Sequence, residues 1–266
     1  MVIAAPNQVV RGADAALPAS GTRRSTKYAV EAIGAFLLVF TVGTAVGSGS
    51  PFAPLGIGAV LIVILYAGGH PSSGHYNPAV TLAVLVRRRI ALRDAIAYWI
   101  IQFGAGMLAA LVLRRIVDPA RVAASTTITL AGGTLVVAFA AELLLTFALC
   151  YVVLNVATSQ NHPNNSDYGF AIGFALVVGT FAVSSILGGA SNPAVSLGIA
   201  AMDMFALPMA WVYLVAQTLA GIVAGVSFLA LNPDDRRIGG RPVNHYFSPE
   251  TMHPDIPWDG GGAVTS

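Results

Sequence analysis

Charged residues are scarce in this chain of 266 amino acids. Asp, Glu, Lys and Arg make up only 10% of it, whereas a soluble domain carries about 25%, so the composition argues against a water-exposed globular fold. The single cysteine excludes a disulfide framework, and the five histidines are not grouped like zinc ligands. We find no acid–base pair, activated nucleophile or phosphate-binding loop. We therefore expect no metal, no cofactor and no enzymatic activity, and a net charge of +2 gives no reason to expect a nucleic-acid partner.

Long apolar runs dominate what is present, since 56% of the residues are hydrophobic. A helix needs roughly 20 apolar residues to cross a bilayer. Six runs approach or exceed that length, at 28–47, 53–69, 94–113, 134–157, 169–187 and 207–230. The sequence thus predicts an all-α membrane protein, with a flexible N-terminal arm at 1–27, a membrane domain at 28–230 and a flexible C-terminal tail at 231–266.

Two further apolar segments, 77–86 and 192–202, are too short to cross. Each begins with the same tripeptide, Asn77-Pro78-Ala79 and Asn192-Pro193-Ala194, and the two copies lie 115 residues apart. Asn is a good helix N-cap and Pro suits the first helical position. We predict two re-entrant half-helices that direct polar groups to a pore site in mid-bilayer. Surface helices, or continuations of neighbouring spans, are the alternatives.

The backbone ahead of each half-helix is expected to be irregular. Glycine and proline precede the first motif, at Gly68, Gly69, Pro71 and Gly74, and glycines precede the second, at Gly188 and Gly189. Irregular backbone at membrane depth is tolerated only where protein or a water-filled cavity surrounds it.

The two halves of the membrane domain, about 28–113 and 134–230, repeat each other. Glu31 begins the first span as Glu142 begins the fourth, and Tyr98 and Gln102 recur as Tyr213 and Gln217, again 115 residues apart. Each half has three crossings, an odd number, so the repeat is inverted and its shared site lies near the midplane. Because a buried charge in hydrocarbon is costly, we interpret both glutamates as hydrogen-bond acceptors for loop backbone rather than as proton carriers.

The distribution of basic residues predicts the orientation. With both termini in the cytosol, 11 of the 14 Lys and Arg residues lie on the cytosolic side, as the positive-inside rule requires. The Arg87–Arg89 run is interpreted as part of this topology signal, with a lipid-headgroup or regulatory site as the alternative. Chain size and the absence of eukaryotic sorting signals favour a prokaryotic inner membrane.

The paired Asn-Pro-Ala motifs and the repeated sequence around them resemble the major intrinsic protein family, the aquaporins and aquaglyceroporins, over about residues 28–230. The resemblance implies six membrane helices, two half-helices, one pore per subunit and a homotetramer in the lipid bilayer. It also implies that Glu31 and Glu142 brace the loops carrying the motifs. In the string Ser-Gly-His-Tyr-Asn-Pro-Ala, it implies that His75 turns its backbone carbonyl to the pore and holds the loop with its side chain.

Family members have a narrow external filter of four positions, and one of them is an Arg directly after the second Asn-Pro-Ala. Here that position is Val195, and counting from the motifs assigns the other three to Ile57, Thr180 and Gly189. Losing the Arg removes a fixed charge and five donors. The resulting filter is expected to be wider and less polar, and so to reject larger neutral solutes less strongly. Carbonyls before each Asn are expected to line the path, at Ser73, Gly74, His75, Gly188 and Ala190.

The predicted function is therefore a passive channel for water and small neutral solutes, with glycerol, urea and ammonia as candidates. A water-selective channel is the alternative within the family. Outside it, the alternatives are a closed structural membrane protein on the same fold and an active transporter coupled through Glu31 or Glu142.

Overall fold

The computed structural model describes residues 22–116, 132–162, 165–183, 189–204 and 209–236. Of the predicted features, residues 1–21, Gly188 and residues 237–266 lie outside these ranges. Within the described residues the chain forms eight α-helices followed by a single 3-10 turn, Asp234–Arg236. The helices are α1 Arg24–Gly47, α2 Ala53–Ser72, α3 Pro78–Val86, α4 Leu92–Ile116, α5 Gly133–Thr158, α6 Tyr168–Val183, α7 Pro193–Ala201 and α8 Ala210–Leu231.

Membrane-spanning length is found in most of these helices. Five of the described helices, α1, α2, α4, α5 and α8, are long and apolar enough to cross a bilayer. The remaining predicted span, 169–187, corresponds to α6, whose 16 described residues end at Val183. Together with the two short helices α3 and α7, of nine residues each, this confirms the predicted all-α, multi-pass membrane fold.

The packing of the helices follows the internal repeat. α1 packs on α4 as α5 packs on α8, and α1 contacts α2 as α5 contacts α6. The short helices exchange partners between the halves, because α3 packs against α8 and α7 packs against α4. The two short helices therefore begin next to each other in the interior, each held by a long helix of the opposite half.

Glycines allow the closest of these approaches. A Cβ atom on Gly221 of α8 would lie 2.6 Å from the Ala79 carbonyl oxygen, and one on Gly106 of α4 would lie 3.1 Å from that of Ala194. Both oxygens belong to the first turn of a short helix, and backbone cannot move aside as a flexible side chain can. A side chain at Gly221 would therefore push α3 out of place, whereas one at Gly106 would require a shift of only a few tenths of an ångström.

The end of α2 differs from the prediction. Gly68, Gly69 and Pro71 were expected as irregular backbone, yet all three lie inside α2, which continues to Ser72. The two glycines serve packing instead, because a Cβ on either one would collide with a tyrosine hydroxyl, that of Tyr76 or Tyr168. A proline near a helix end removes only one backbone hydrogen bond, so the helix tolerates it, and the irregular stretch shrinks to residues 73–76.

A buried ionic cluster, which we call the Asp235 cluster, closes the end of the molecule where α3 and α5 finish. Arg87 donates to the hydroxyl of Thr158 at 2.8 Å and to its carbonyl at 3.0 Å, and its guanidinium lies 3.1 Å from the Asp235 carboxylate. The Arg87 and Asp235 side chains are each only 1% exposed. Arg89 and the Ser159 hydroxyl donate to the same carboxylate, at 3.4 and 3.0 Å. Asp235, which falls in the predicted tail, thus packs against the helical body.

The sequence suggested that Arg87 is only one of the cytosolic charges that set the orientation in the membrane, and the structure shows a different role. Arg87 is buried, lies over the ring of Phe228 at 4.1 Å from the ring centroid, and is neutralised within the protein. Arg88, by contrast, is exposed.

Candidate functional site

Two Asn-Pro-Ala motifs begin the two short helices, as predicted. Asn77 and Asn192 are the N-caps and have extended backbone, with φ of −151° and −158°. The side-chain oxygen of each accepts a backbone N–H two residues on, from Ala79 and from Ala194, at 2.9 Å in both cases. Pro occupies the first helical position, where the missing N–H has no cost. Because capping uses each amide oxygen, each amide nitrogen points away from its own helix.

Each asparagine donates a hydrogen bond to the residue directly before the other asparagine, so that the two bonds cross between the motifs. The Asn77 amide nitrogen donates to the Ser191 carbonyl at 2.8 Å, and the Asn192 amide nitrogen donates to the Tyr76 carbonyl at 3.0 Å. An amide nitrogen carries two hydrogens, so each asparagine has a second hydrogen to offer. Both asparagines line one interior cavity. A molecule in that cavity therefore meets two amide donors at the point where two helix N-termini converge.

Glu31 and Glu142 hold the loops that carry the motifs. The Glu31 carboxylate accepts the backbone N–H groups of His75 and Tyr76, both at 2.8 Å. The Glu142 carboxylate accepts those of Ala190 and Ser191, at 2.7 and 3.0 Å. Both glutamates are at most 1% exposed. The geometry agrees with the bracing role expected for the two carboxylates, since hydrogen bonds to an ionised acceptor are the strong ones.

The braced loops contain strained backbone. Tyr76 and Ser191, each directly before a motif asparagine, have φ of +48° and +47°. A non-glycine residue in this left-handed region costs about 1–3 kcal/mol. The glutamate oxygens receive the N–H groups of these same residues. The hydrogen bonds to the glutamates thus stabilise the backbone at the strained residues themselves. The left-handed conformation turns the Tyr76 and Ser191 carbonyls towards the asparagine of the opposite motif.

Gln102 and Gln217 complete the bracing, and the sequence argument had assigned them no role. The Gln102 amide nitrogen donates to Glu31 at 2.9 Å and lies 3.0 Å from the Thr81 hydroxyl; that of Gln217 donates to Glu142 and lies near Ser196, both at 2.8 Å. Their 115-residue spacing, equal to that of the motifs, was the available signal. Each glutamine thus connects its own long helix to a bracing glutamate and to a short helix.

His75 is held by its neighbours. Its Nδ1 lies 3.1 Å from the Thr81 hydroxyl, and its ring meets that of Tyr98 edge-on, with centroids 5.2 Å apart. The Tyr98 hydroxyl in turn donates to the Ser72 carbonyl at 2.6 Å. These contacts agree with the expectation that the side chain holds the loop in place.

Most of the predicted pore residues line the same cavity, but not all. Of the filter positions, Ile57, Gly189 and Val195 line it, as do Gly74, His75 and Ala190 among the predicted carbonyl positions. Thr180 and Ser73 are not among its lining residues; the Thr180 hydroxyl donates to the Leu176 carbonyl of its own helix at 2.7 Å. Within the described part of the chain, no three His, Cys, Asp or Glu residues are placed together so that they could hold a metal ion.

The family model for the major intrinsic proteins matches residues 19–228. The chain belongs to this family. Among its relatives is the glycerol uptake facilitator protein-like 6 of Lactiplantibacillus plantarum, which is 36% identical over 220 residues, covering 79% of this chain and 99% of the relative. Nodulin-26 of Glycine max is 34% identical over 207 residues, covering 75% and 74%.

A solved structure has the same fold. The X-ray structure of the aquaglyceroporin from Plasmodium falciparum matches with a TM-score of 0.62, covering 77% of this chain and 96% of that one at 19% identity. This major intrinsic protein is accordingly an integral, multi-pass membrane protein of a channel family.

Proposed function

We propose that this protein is a passive channel that conducts water and small uncharged solutes through the cavity between its two Asn-Pro-Ala motifs. The observation that carries the proposal is the pair of crossed asparagine bonds, Asn77 to Ser191 and Asn192 to Tyr76, inside a cavity that both asparagines line. These bonds fix two amide donors where a passing oxygen atom needs a partner.

Electrostatics support neutral cargo. The N-terminus of a helix carries a partial charge of about +0.5, and both short helices begin at the asparagines. Two such ends facing one cavity oppose the passage of cations and protons, whereas a neutral molecule that accepts hydrogen bonds is stabilised there. Glycerol, urea and ammonia are the solutes we would examine, and the name of the Lactiplantibacillus relative adds weight to glycerol.

The selectivity proposal rests on Val195. It directly follows the second motif, is 2% exposed, and lines the cavity with Ile57 and Gly189. None of these three side chains offers a hydrogen-bond donor or a charge. We propose that they form the outer filter, which we call the outer ring, and that Thr180 contributes at most indirectly, through its position on α6.

The test is permeation through purified protein in proteoliposomes, measured by stopped-flow light scattering for water, glycerol, urea and ammonia. We expect the unmodified protein to conduct water and at least one solute down its gradient. Val195→Arg should lower glycerol flux by about tenfold or more, which is about 1.4 kcal/mol in the barrier, and lower water flux much less. Val195→Met, similarly long but uncharged, is the matched control and separates the effect of charge from that of size.

Other outcomes would point elsewhere. Water flux without solute flux would indicate a water-selective channel, and no flux of any kind would favour a closed structural protein. Solute accumulation against its gradient under a proton gradient would indicate a transporter. If the ratio of glycerol flux to water flux is the same in the unmodified protein, in Val195→Arg and in Val195→Met, the assignment of Val195 to the filter is refuted.

We also propose a homotetramer in a prokaryotic inner membrane, with both termini in the cytosol. Large apolar side chains are exposed on several helices, among them Ile33, Ile100 and Phe170, at 60%, 68% and 53%, as lipid or neighbouring copies would require. Cross-linking in native membranes tests the oligomeric state, and protease accessibility of tags at each terminus tests the orientation.

A further inference from the structure

The lining of the cavity obeys the internal repeat almost residue for residue. On α2 and α6, Ile57 and Leu61 correspond to Ile172 and Leu176, 115 positions later, and all four line the cavity. Paired lining residues on α1 and α5 likewise have the same type, Leu38 with Leu149 and Val42 with Val153. The two ends of the path are therefore lined by the same apolar side chains.

The correspondence includes the outer ring itself. Val195 follows the second Asn-Pro-Ala motif as Val80 follows the first, and both line the cavity at 2% and 3% exposure. Gly189 corresponds to Gly74, and Ile57 to Ile172; these also line it. Even the exception agrees, because Thr180, which does not line the cavity, corresponds to Leu65, which does not line it either.

We propose that Gly74, Val80 and Ile172 form a second filter, the inner ring, on the α3 side of the asparagines, with the same selectivity as the outer ring. This inference rests on the proposed channel function and deepens it. A valine after the second motif makes the two ends alike, and an arginine there would not. A solute then has to pass two apolar constrictions in series, with the asparagine donors between them.

The chemistry of the rings defines the class of solute. No side chain of either ring can hydrogen bond, so a solute gives up part of its hydration at each one. An uncompensated hydroxyl or amide costs about 1–3 kcal/mol in protein environments. Permeability should therefore fall with the number of hydrogen-bonding groups, and the channel should favour small uncharged molecules with few of them. Among the described lining residues the halves differ in polarity at two places: His75 has Ala190 as its counterpart, and Ser191 lines the cavity whereas its counterpart Tyr76 does not.

Two matched substitutions, Ile57→Ala and Ile172→Ala, test the inner ring through the arithmetic of barriers in series. If the two rings present equal resistance to solute flux, widening one of them raises solute permeability by at most about twofold, because the other ring still limits flux. Relieving both raises it well beyond twofold. We expect each single variant to increase urea permeability by a similar factor below about two, and the double variant to exceed the product of the two.

The measurement is urea flux into proteoliposomes, per channel, with Ile100→Ala as the control. Ile100 is 68% exposed, so the same substitution there should leave flux unchanged. Ile57→Val and Ile172→Val form a milder pair if an alanine variant fails to fold. A large increase from the Ile57 variant, with no effect of the Ile172 variant, would overturn the inner ring while leaving the channel intact. Absence of any flux through the unmodified protein would instead overturn the channel function.

Discussion

Replacing Gly221 by alanine tests whether the contact between α8 and α3 sets the position of Asn77. The added Cβ would lie 2.6 Å from the Ala79 carbonyl oxygen, whereas ordinary contacts begin at 3.4 Å. The helices must separate by several tenths of an ångström, because the opposing atom is backbone. Overpacking of this kind typically costs about 1–3 kcal/mol. The displaced atom lies in the first turn of α3, two residues from the asparagine, so water flux should fall together with stability.

The chain provides a graded series for this experiment. At Gly106, the repeat counterpart of Gly221, the new Cβ would lie 3.1 Å from the Ala194 carbonyl oxygen, and at Gly104 it would have no neighbour within 4 Å. Alanine is favoured over glycine in a helix by up to about 1 kcal/mol. Gly104→Ala should therefore match or exceed the stability of the unmodified protein, Gly106→Ala should lie near it, and Gly221→Ala should lie clearly below it.

Thermal unfolding of the purified protein in detergent, followed by stopped-flow water permeation in liposomes, measures both quantities. The reasoning is wrong if Gly221→Ala keeps full stability and flux. It is also wrong if Gly104→Ala loses as much as Gly221→Ala, because glycine would then be needed for a reason other than close approach.

Two further substitutions address the buried carboxylates. Glu142→Gln should lower water flux at least about tenfold and destabilise the protein by about 1.5–3 kcal/mol, because an amide can accept only one of the two loop N–H groups; Glu31→Gln should match it, and a flux equal to that of the unmodified protein in both variants would contradict the bracing role. Asp235→Ala should cost about 3–5 kcal/mol in thermal unfolding by leaving Arg87 buried without a counter-charge. Combining it with Arg87→Met should restore most of that loss, and a double variant no more stable than Asp235→Ala would count against the ion pair.

Local signals in the sequence were enough to locate the two short helices. They were predicted to begin at residues 77 and 192 and they begin at Pro78 and Pro193, with the asparagines as N-caps. An Asn-Pro pair specifies its own capping geometry, so no knowledge of the rest of the fold is needed. Glu31 and Glu142 were identified for a similar reason, since a carboxylate among apolar residues has few alternatives to accepting hydrogen bonds.

Features that depend on distant contacts were not predictable. Arg87 looked like one of three equivalent surface charges, and only the folded chain shows that it pairs with Asp235 while Arg88 stays exposed. Gly68 and Gly69 were interpreted as signs of irregular backbone, although they are needed for contact with tyrosines from elsewhere in the chain. Counting from the motifs assigned Thr180 to the filter; it lies one turn beyond Leu176 on the same face of α6, but the cavity is lined by Leu176 and not by Thr180, and spacing does not specify how far the cavity extends along the helix.

The Asp235 cluster has a consequence for the synthesis of the chain. Arg87 is made early and its partner, 148 positions later, is among the last described residues to leave the ribosome. Until then every membrane helix can be inserted while one arginine at the end of α3 has no counter-charge. A polypeptide cut short before residue 235 would therefore have all eight of the described helices and still be markedly less stable than the finished one. The cell's proteases would thus have a physical basis for removing unfinished copies while sparing complete ones.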